Sequence, residues 1–96
     1  MQISIDHQLI NSICLEEDIS YLGLFGSNAR GDARKSSDVD ILVDFNNTKS
    51  YFQLAKVQEK FEKIFQKKVD LVLKTAVKNH LKSYIAKDLI TLYEKR

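Results

Sequence analysis

Apolar positions along this chain follow two rhythms, one of helical period and one of period two. Ile5, Leu9, Ile10, Ile13 and Cys14 form a stripe at helical spacing, with Asp6 placed to cap the first turn, and predict a helix ending near Glu17. The run ISYLGLF, residues 19–25, is aliphatic, aromatic and β-branched and leads straight into Gly26, which predicts a buried strand meeting a turn. In DVDILVDF, residues 38–45, Val39, Ile41, Val43 and Phe45 point one way, while Asp38, Asp40, Leu42 and Asp44 point the other. That strand has a core face and an acid face. Ser50 with Gln53 three residues on has the spacing of a capping box, and Leu54, Val57, Phe61, Ile64 and Phe65 continue as the stripe of a second long helix. Its other side is charged, with Glu59 and Lys63 four apart and Lys67 and Lys68 at the end where the dipole favours cations. KKVDLVL, residues 67–73, predicts a third strand with Val69, Leu71 and Leu73 on one face and Asp70 on the other. The remainder predicts a helix turning Leu81, Tyr84 and Ile85 inward, then a short strand around residues 90–93, with continuation of the helix as the alternative. Tyr51, Tyr84 and Tyr93 are expected at core or boundary positions.

The 96 residues are expected to form one domain, residues 1–96, that buries only roughly 60–65% of its unfolded surface and so has a thin core. With 44% hydrophobic and 29% charged residues the composition is that of a globular protein rather than a disordered one. A net charge of +2 is far from a polybasic balance, so direct nucleic-acid binding is not expected. The single cysteine, Cys14, can close no internal disulfide and has no zinc-ligand spacing around it, which fits a reducing compartment and a cytoplasmic location. Neither a basic leader nor an apolar run of about 20 residues is present, so secretion and membrane insertion are not expected. His7 and His80 stand alone in helical stretches and read as surface or packing residues.

The acids change this picture. Asp38 and Asp40, two apart on a strand, share a face at roughly 6–7 Å, where two carboxylates repel unless a divalent cation lies between them. Magnesium, held by one or two carboxylates plus substrate phosphates, suits such a pair. Asp70 would join them if its strand lies beside the first, giving three carboxylates for a two-metal site with Asp70 as ligand or general base. Gly26 and Ser27 supply a complement: Gly26 lets a phosphate approach the backbone, and a short helix starting at Ser27 or Asn28 would present N–H groups to an anion. Arg30, Arg34 or Lys35 would balance the remaining charge of a triphosphate, and Asp44, further along, is expected to be solvated. Each piece has a plain alternative, the Gly-Ser as an ordinary turn and the Asp-x-Asp as a solvated strand edge.

Gly26-Ser27, ten intervening residues, Asp38-Val39-Asp40 and the later VDLV at 69–72 together resemble the signature of the DNA polymerase β-like nucleotidyltransferase superfamily. The short length, ARG at 29–31, SDVDILVDF and the closing LITLYEK are most similar to the minimal nucleotidyltransferase (MNT) domains, the MntA-type antitoxins. The resemblance implies an α+β two-layer fold, a mixed sheet with helices packed on one face and the active site on the other. It implies phosphate binding at Gly26 and Ser27 with Arg30 nearby, and metal binding and catalysis at Asp38, Asp40 and Asp70. It implies Mg2+, two ions, and ATP as substrate. The implied partner is a HEPN-domain ribonuclease toxin, bound in a hetero-oligomer and neutralised by transfer of AMP from ATP to one of its tyrosines, as in type VII-like toxin-antitoxin systems. The alternative is an antitoxin that neutralises by binding and occlusion alone. A nucleic-acid-binding domain is a third class, disfavoured because Lys and Arg are scattered and an acid face repels phosphate.

Overall fold

The computed structural model describes residues 5–95. The Asp6 carboxylate accepts hydrogen bonds from the N–H groups of Gln8 and Leu9 at 3.1 and 3.2 Å and so starts α1, His7–Glu16. Asp18, at φ 62°, turns the chain into β1, Ile19–Phe25. Its carboxylate is bonded by Asn46 Nδ2 (2.8 Å), Asn47 Nδ2 (2.9 Å) and Lys49 Nζ (3.2 Å), which tie the start of β1 to the end of β2, Val39–Phe45. These bonds, led by that from Asn46, hold the Asp18 carboxyl down to about 2. Between the two strands lies a single helical turn, α2, Ser27–Arg30, stopped by Gly31 in the left-handed conformation. The capping box closes as the spacing predicts: Gln53 N–H bonds Ser50 Oγ, Ser50 N–H bonds Gln53 Oε1, and α3 runs Tyr51–Phe65. β3, Val69–Leu73, a 3-10 turn at Lys74–Ala76, α4, Asn79–Asp88, and β4, Ile90–Glu94, complete the chain.

The strands form one mixed sheet in the order β3-β2-β1-β4. β1 pairs antiparallel with β2 and with β4, and β2 pairs parallel with β3, so α3 is the crossover between two parallel strands. The expected α+β architecture is the one observed. Alternation gives the sheet two unlike faces. Leu22, Leu24, Val39, Ile41, Val43 and Val69 meet Ile10 and Cys14 of α1 and Val57, Phe61 and Phe65 of α3 in the main core. Burial pushes the Cys14 thiol up to about 12, so it behaves as a small apolar group. On the other face a small cluster of Tyr21, Leu42 and Ile85 is buried, with Phe25, Val72, Val77 and Leu89 packed around it. Gly23 leaves the space Leu89 occupies, since a Cβ there would meet Leu89 Cδ1 at 2.6 Å.

Several expectations shift. Helices α1 and α3 pack on one face, but α4 lies against part of the other. Its inward stripe is one residue wide: Ile85 is buried, whereas Leu81 and Tyr84 are 42% and 64% exposed. Tyr51 is also exposed, because it occupies the first position of α3, ahead of Leu54 where the helix reaches the sheet. β3 begins two residues later than predicted, and Lys67 turns back across the chain instead of standing at the helix end. Among the described residues no helix is long and apolar enough to cross a membrane.

Candidate active site

β1 runs inside the sheet and delivers the chain to Gly26, whose φ of 76° is open to glycine and strained for other residues. A Cβ at Gly26 would overlap Asp40 Oδ2, so the carboxylate rests against the bare backbone of the turn. Ser27 follows at the first helical position. The bonds of α2 begin at Ala29 N–H, which donates to Gly26 O at 3.0 Å, so the N–H groups of Ser27 and Asn28 precede the bonded turn. With four residues α2 has almost no macrodipole to offer. What it presents is local: backbone N–H groups, the Ser27 hydroxyl and a glycine without bulk.

Register brings the acids together. Asp40 on β2 pairs with Phe25 on β1 and with Asp70 on the parallel neighbour β3. The condition on which Asp70 depended, adjacency of its strand, is therefore met. Asp38 stands one residue before β2 and is exposed. Burial raises the pKa of Asp40, the negative charges of Asp70 and Asp38 raise it further, and Arg30 partly opposes them. Among the described residues no three His, Cys, Asp or Glu side chains close into a ligand set by themselves. The donors are nonetheless hard carboxylate oxygens, one of them burdened by two like charges, which a divalent cation with substrate phosphate oxygens would relieve. On that ground the residues fit magnesium.

Arg30 is near this cluster but is engaged elsewhere. Its Nε donates to Asp32 Oδ2 at 3.1 Å and a terminal nitrogen donates to Asp88 Oδ2 at 2.9 Å, joining α2 to the end of α4. Arg34 and Lys35 are exposed in the loop before β2, where Arg34 N–H bonds Ser37 Oγ. Asp44 accepts from the N–H of Phe45 and stands apart from the cluster.

Two residues of the site were not singled out from the sequence. Asn28, 6% exposed, is the buried polar side chain of the turn. Its Nδ2 donates to the backbone carbonyl of Asp38 at 2.9 Å, and its Oδ1 accepts from Lys67 Nζ at 3.4 Å. Lys67 Nζ also donates to the carbonyl of Arg34 at 3.1 Å. Asn28 and Lys67 thus position Asp38 from outside its own strand. The only local signal is a polar residue directly after Gly-Ser, which does not say which way that side chain faces. Beside Asp70 a cavity of about 410 Å3 opens, walled by Phe25, Val72, Leu81 and Tyr84. A row of carboxylates, a bare backbone turn and an adjoining cavity can hold a cation-neutralised phosphate chain with an acceptor beside it.

Comparison with known proteins agrees with this geometry. A family model described as nucleotidyltransferase domain matches residues 7–92. Protein adenylyltransferase MntA of Thermococcus cleftensis is 36% identical over 69 residues, covering 72% of this chain and 70% of its own. Two solved structures share the fold. One is a toxin-antitoxin with AMP-PNP, with a TM-score of 0.78 at 20% identity over 96% of this chain and 76% of that one. The other is a tri-AMPylated Shewanella oneidensis HEPN toxin in complex with an MNT antitoxin, where the TM-score is 0.68 at 19% identity over 93% and 70%.

Proposed function

The chain belongs to the nucleotidyltransferase domain family, and from that premise we propose that residues 1–96 act as one minimal unit that transfers AMP from ATP to a tyrosine of a HEPN-domain ribonuclease toxin, neutralising it as its antitoxin. The observation that carries the reading is the register: Asp40 and Asp70 sit side by side on the open sheet face, with Asp40 against Gly26. The relative named an adenylyltransferase, the neighbour with AMP-PNP and the tri-AMPylated HEPN toxin support the nucleotide and the acceptor class. A lone buried thiol suits the reducing cytoplasm in which such a pair would work.

Asp38, Asp40 and Asp70 are the residues that would hold magnesium, as two ions; when bound, the metal supplies charge neutralisation of the triphosphate and a more acidic acceptor hydroxyl. The chain's own groups do the rest. Gly26 and Ser27 admit the phosphates to the backbone, and Asn28 and Lys67 keep the Asp38 segment in place. Arg30 exchanges its carboxylate partners for phosphate oxygens. In the transfer the tyrosine oxygen bonds to the α-phosphorus, the bond from that phosphorus to its bridging oxygen breaks, and pyrophosphate leaves with the electron pair. The phenol proton passes to a carboxylate, in this reading that of Asp70, which lines the cavity.

The test is label transfer from α-labelled ATP, with magnesium, to the protein encoded by the neighbouring gene, comparing this chain with its Asp38→Asn, Asp40→Asn double variant. Label is expected to move with the intact aspartates and to fall to background in the variant. A double variant that still neutralises the toxin without transferring label would establish occlusion instead.

A further inference from the structure

We propose that α4 and the cavity beneath it form the acceptor dock, and that the dock takes an acidic protein segment whose tyrosine ring enters the cavity beside Asp70. The inference rests on the adenylyl-transfer reading above and adds to it the surface and the kind of sequence recognised.

The first observation is apolar. α4 buries Ile85 alone, leaving Leu81 and Tyr84 42% and 64% exposed, and both side chains wall the cavity that Asp70 and Phe25 bound on the sheet side. A phenol has the matching polarity, a ring for the apolar wall and a hydroxyl for the carboxylate. The second is charge. Residues 74–87 carry Lys74, Lys78, Lys82 and Lys87 with no Asp or Glu among them. Among the described residues none of these four lysines forms an ion pair, and the Lys74 ammonium instead lies 4.6 Å from the centre of the Tyr21 ring. On α3, by contrast, Lys60 pairs with Glu16 and Glu17, and Lys63 with Glu59. Asp88, the acid at the end of α4, is already held by Arg30. Lys78 lines the cavity itself, and Lys74 and Lys82 line a neighbouring groove that shares Val77 and Ile85 with it, so the exposed apolar wall is flanked by ammonium groups that complement a partner bringing its own carboxylates. Nucleic acid is the other polyanion that such lysines attract, and an RNA probe in the test below separates it from an acidic protein segment.

The test is binding, so that it does not depend on turnover. Fluorescently labelled peptides with one tyrosine flanked by Asp and Glu, or by Lys, are titrated into the full chain with magnesium and AMP-PNP, and amide NMR shifts are followed. The acidic peptide is expected to shift residues 77–85, and Lys78→Glu with Lys82→Glu to weaken it about tenfold or more while leaving AMP-PNP affinity unchanged. Tyr84→Ser is expected to weaken the acidic peptide without reversing the charge preference. Equal binding of both peptides, shifts away from α4, or preferential binding of a single-stranded RNA probe to these residues would overturn the proposal. So would a loss of AMP-PNP affinity in the lysine variant, which would make the cavity a nucleotide subsite. Binding of the acidic peptide at α4 in a chain that takes up no AMP-PNP would leave the dock standing and sink the nucleotidyl-transfer reading, so the two fail separately.

Discussion

The two faces of the sheet are built from the same strands, one residue out of step, yet they are physically opposite. On the α1/α3 face Phe61, Ile10, Cys14 and Val57 are sealed against β1 and β2, Phe61 stacks on Phe65 with ring centres 6.2 Å apart, and Lys60 ties α3 to α1 through Glu16 at 2.6 Å and Glu17 at 3.1 Å. On the open face the buried cluster is small, Asp40 and Asp70 stand in register, and burial together with the charges of Asp70 and Asp38 raises the pKa of Asp40. One face satisfies its groups and the other leaves them in want of a ligand. The strain of the second is tolerable because the first supplies stability in excess of what the open face withholds.

The contrast breaks first at Phe61. Phe61→Ala is expected to cost about 3–5 kcal/mol in urea unfolding, and a loss under about 1 kcal/mol would show that the helical face is not the store of stability. Gly26→Ala tests the opposite face, where a methyl would occupy the place of the Asp40 carboxylate at a left-handed φ. A cost of about 1–3 kcal/mol is expected, together with loss of label transfer. Asn28→Ala should cost about 0.5–1.5 kcal/mol by removing the buried side chain's bond to the Asp38 carbonyl and its contact with Lys67, and should raise the magnesium concentration needed for transfer, with Asn28→Ser intermediate. The smallest effect has the opposite sign. Because the fold raises the Asp40 pKa, its contribution to stability is full below the ordinary carboxylate range and is lost as pH rises through the raised folded value. Asp40→Asn is therefore expected to increase the Tm of chelator-treated protein at neutral pH by a few degrees, on a scale of about 4–8 °C per kcal/mol, and the gain should vanish toward about pH 3.

What could be read beforehand was local or periodic. Asp6 as a cap, the Ser50 and Gln53 box and the bounds of β1 depend on residues within one turn or one run, and the common face of Asp40 and Asp70 follows from alternation once their strands are neighbours. What could not be read depends on packing between distant segments. Arg30 meets Asp88 and Lys67 meets Asn28, contacts that no spacing encodes. The apolar positions of α4 misled for a related reason. Leu81, Tyr84 and Ile85 lie on one helical stripe, but the sheet surface opposite them is short and partly acidic, so only Ile85 is covered.

The parallel pairing of β2 with β3 also bears on when the protein becomes competent. Asp38, Asp40 and the Gly26 turn lie on one antiparallel hairpin, whose strands can zip early, whereas Asp70 reaches them only after α3 has formed and closed the crossover. β4 pairs with β1 across most of the intervening sequence, so the sheet too is completed by a long-range contact. On the proposed reading, a chain folded only as far as the β1–β2 hairpin would hold two of the three acids and lack the third, so closing the crossover would set the moment at which transfer becomes possible.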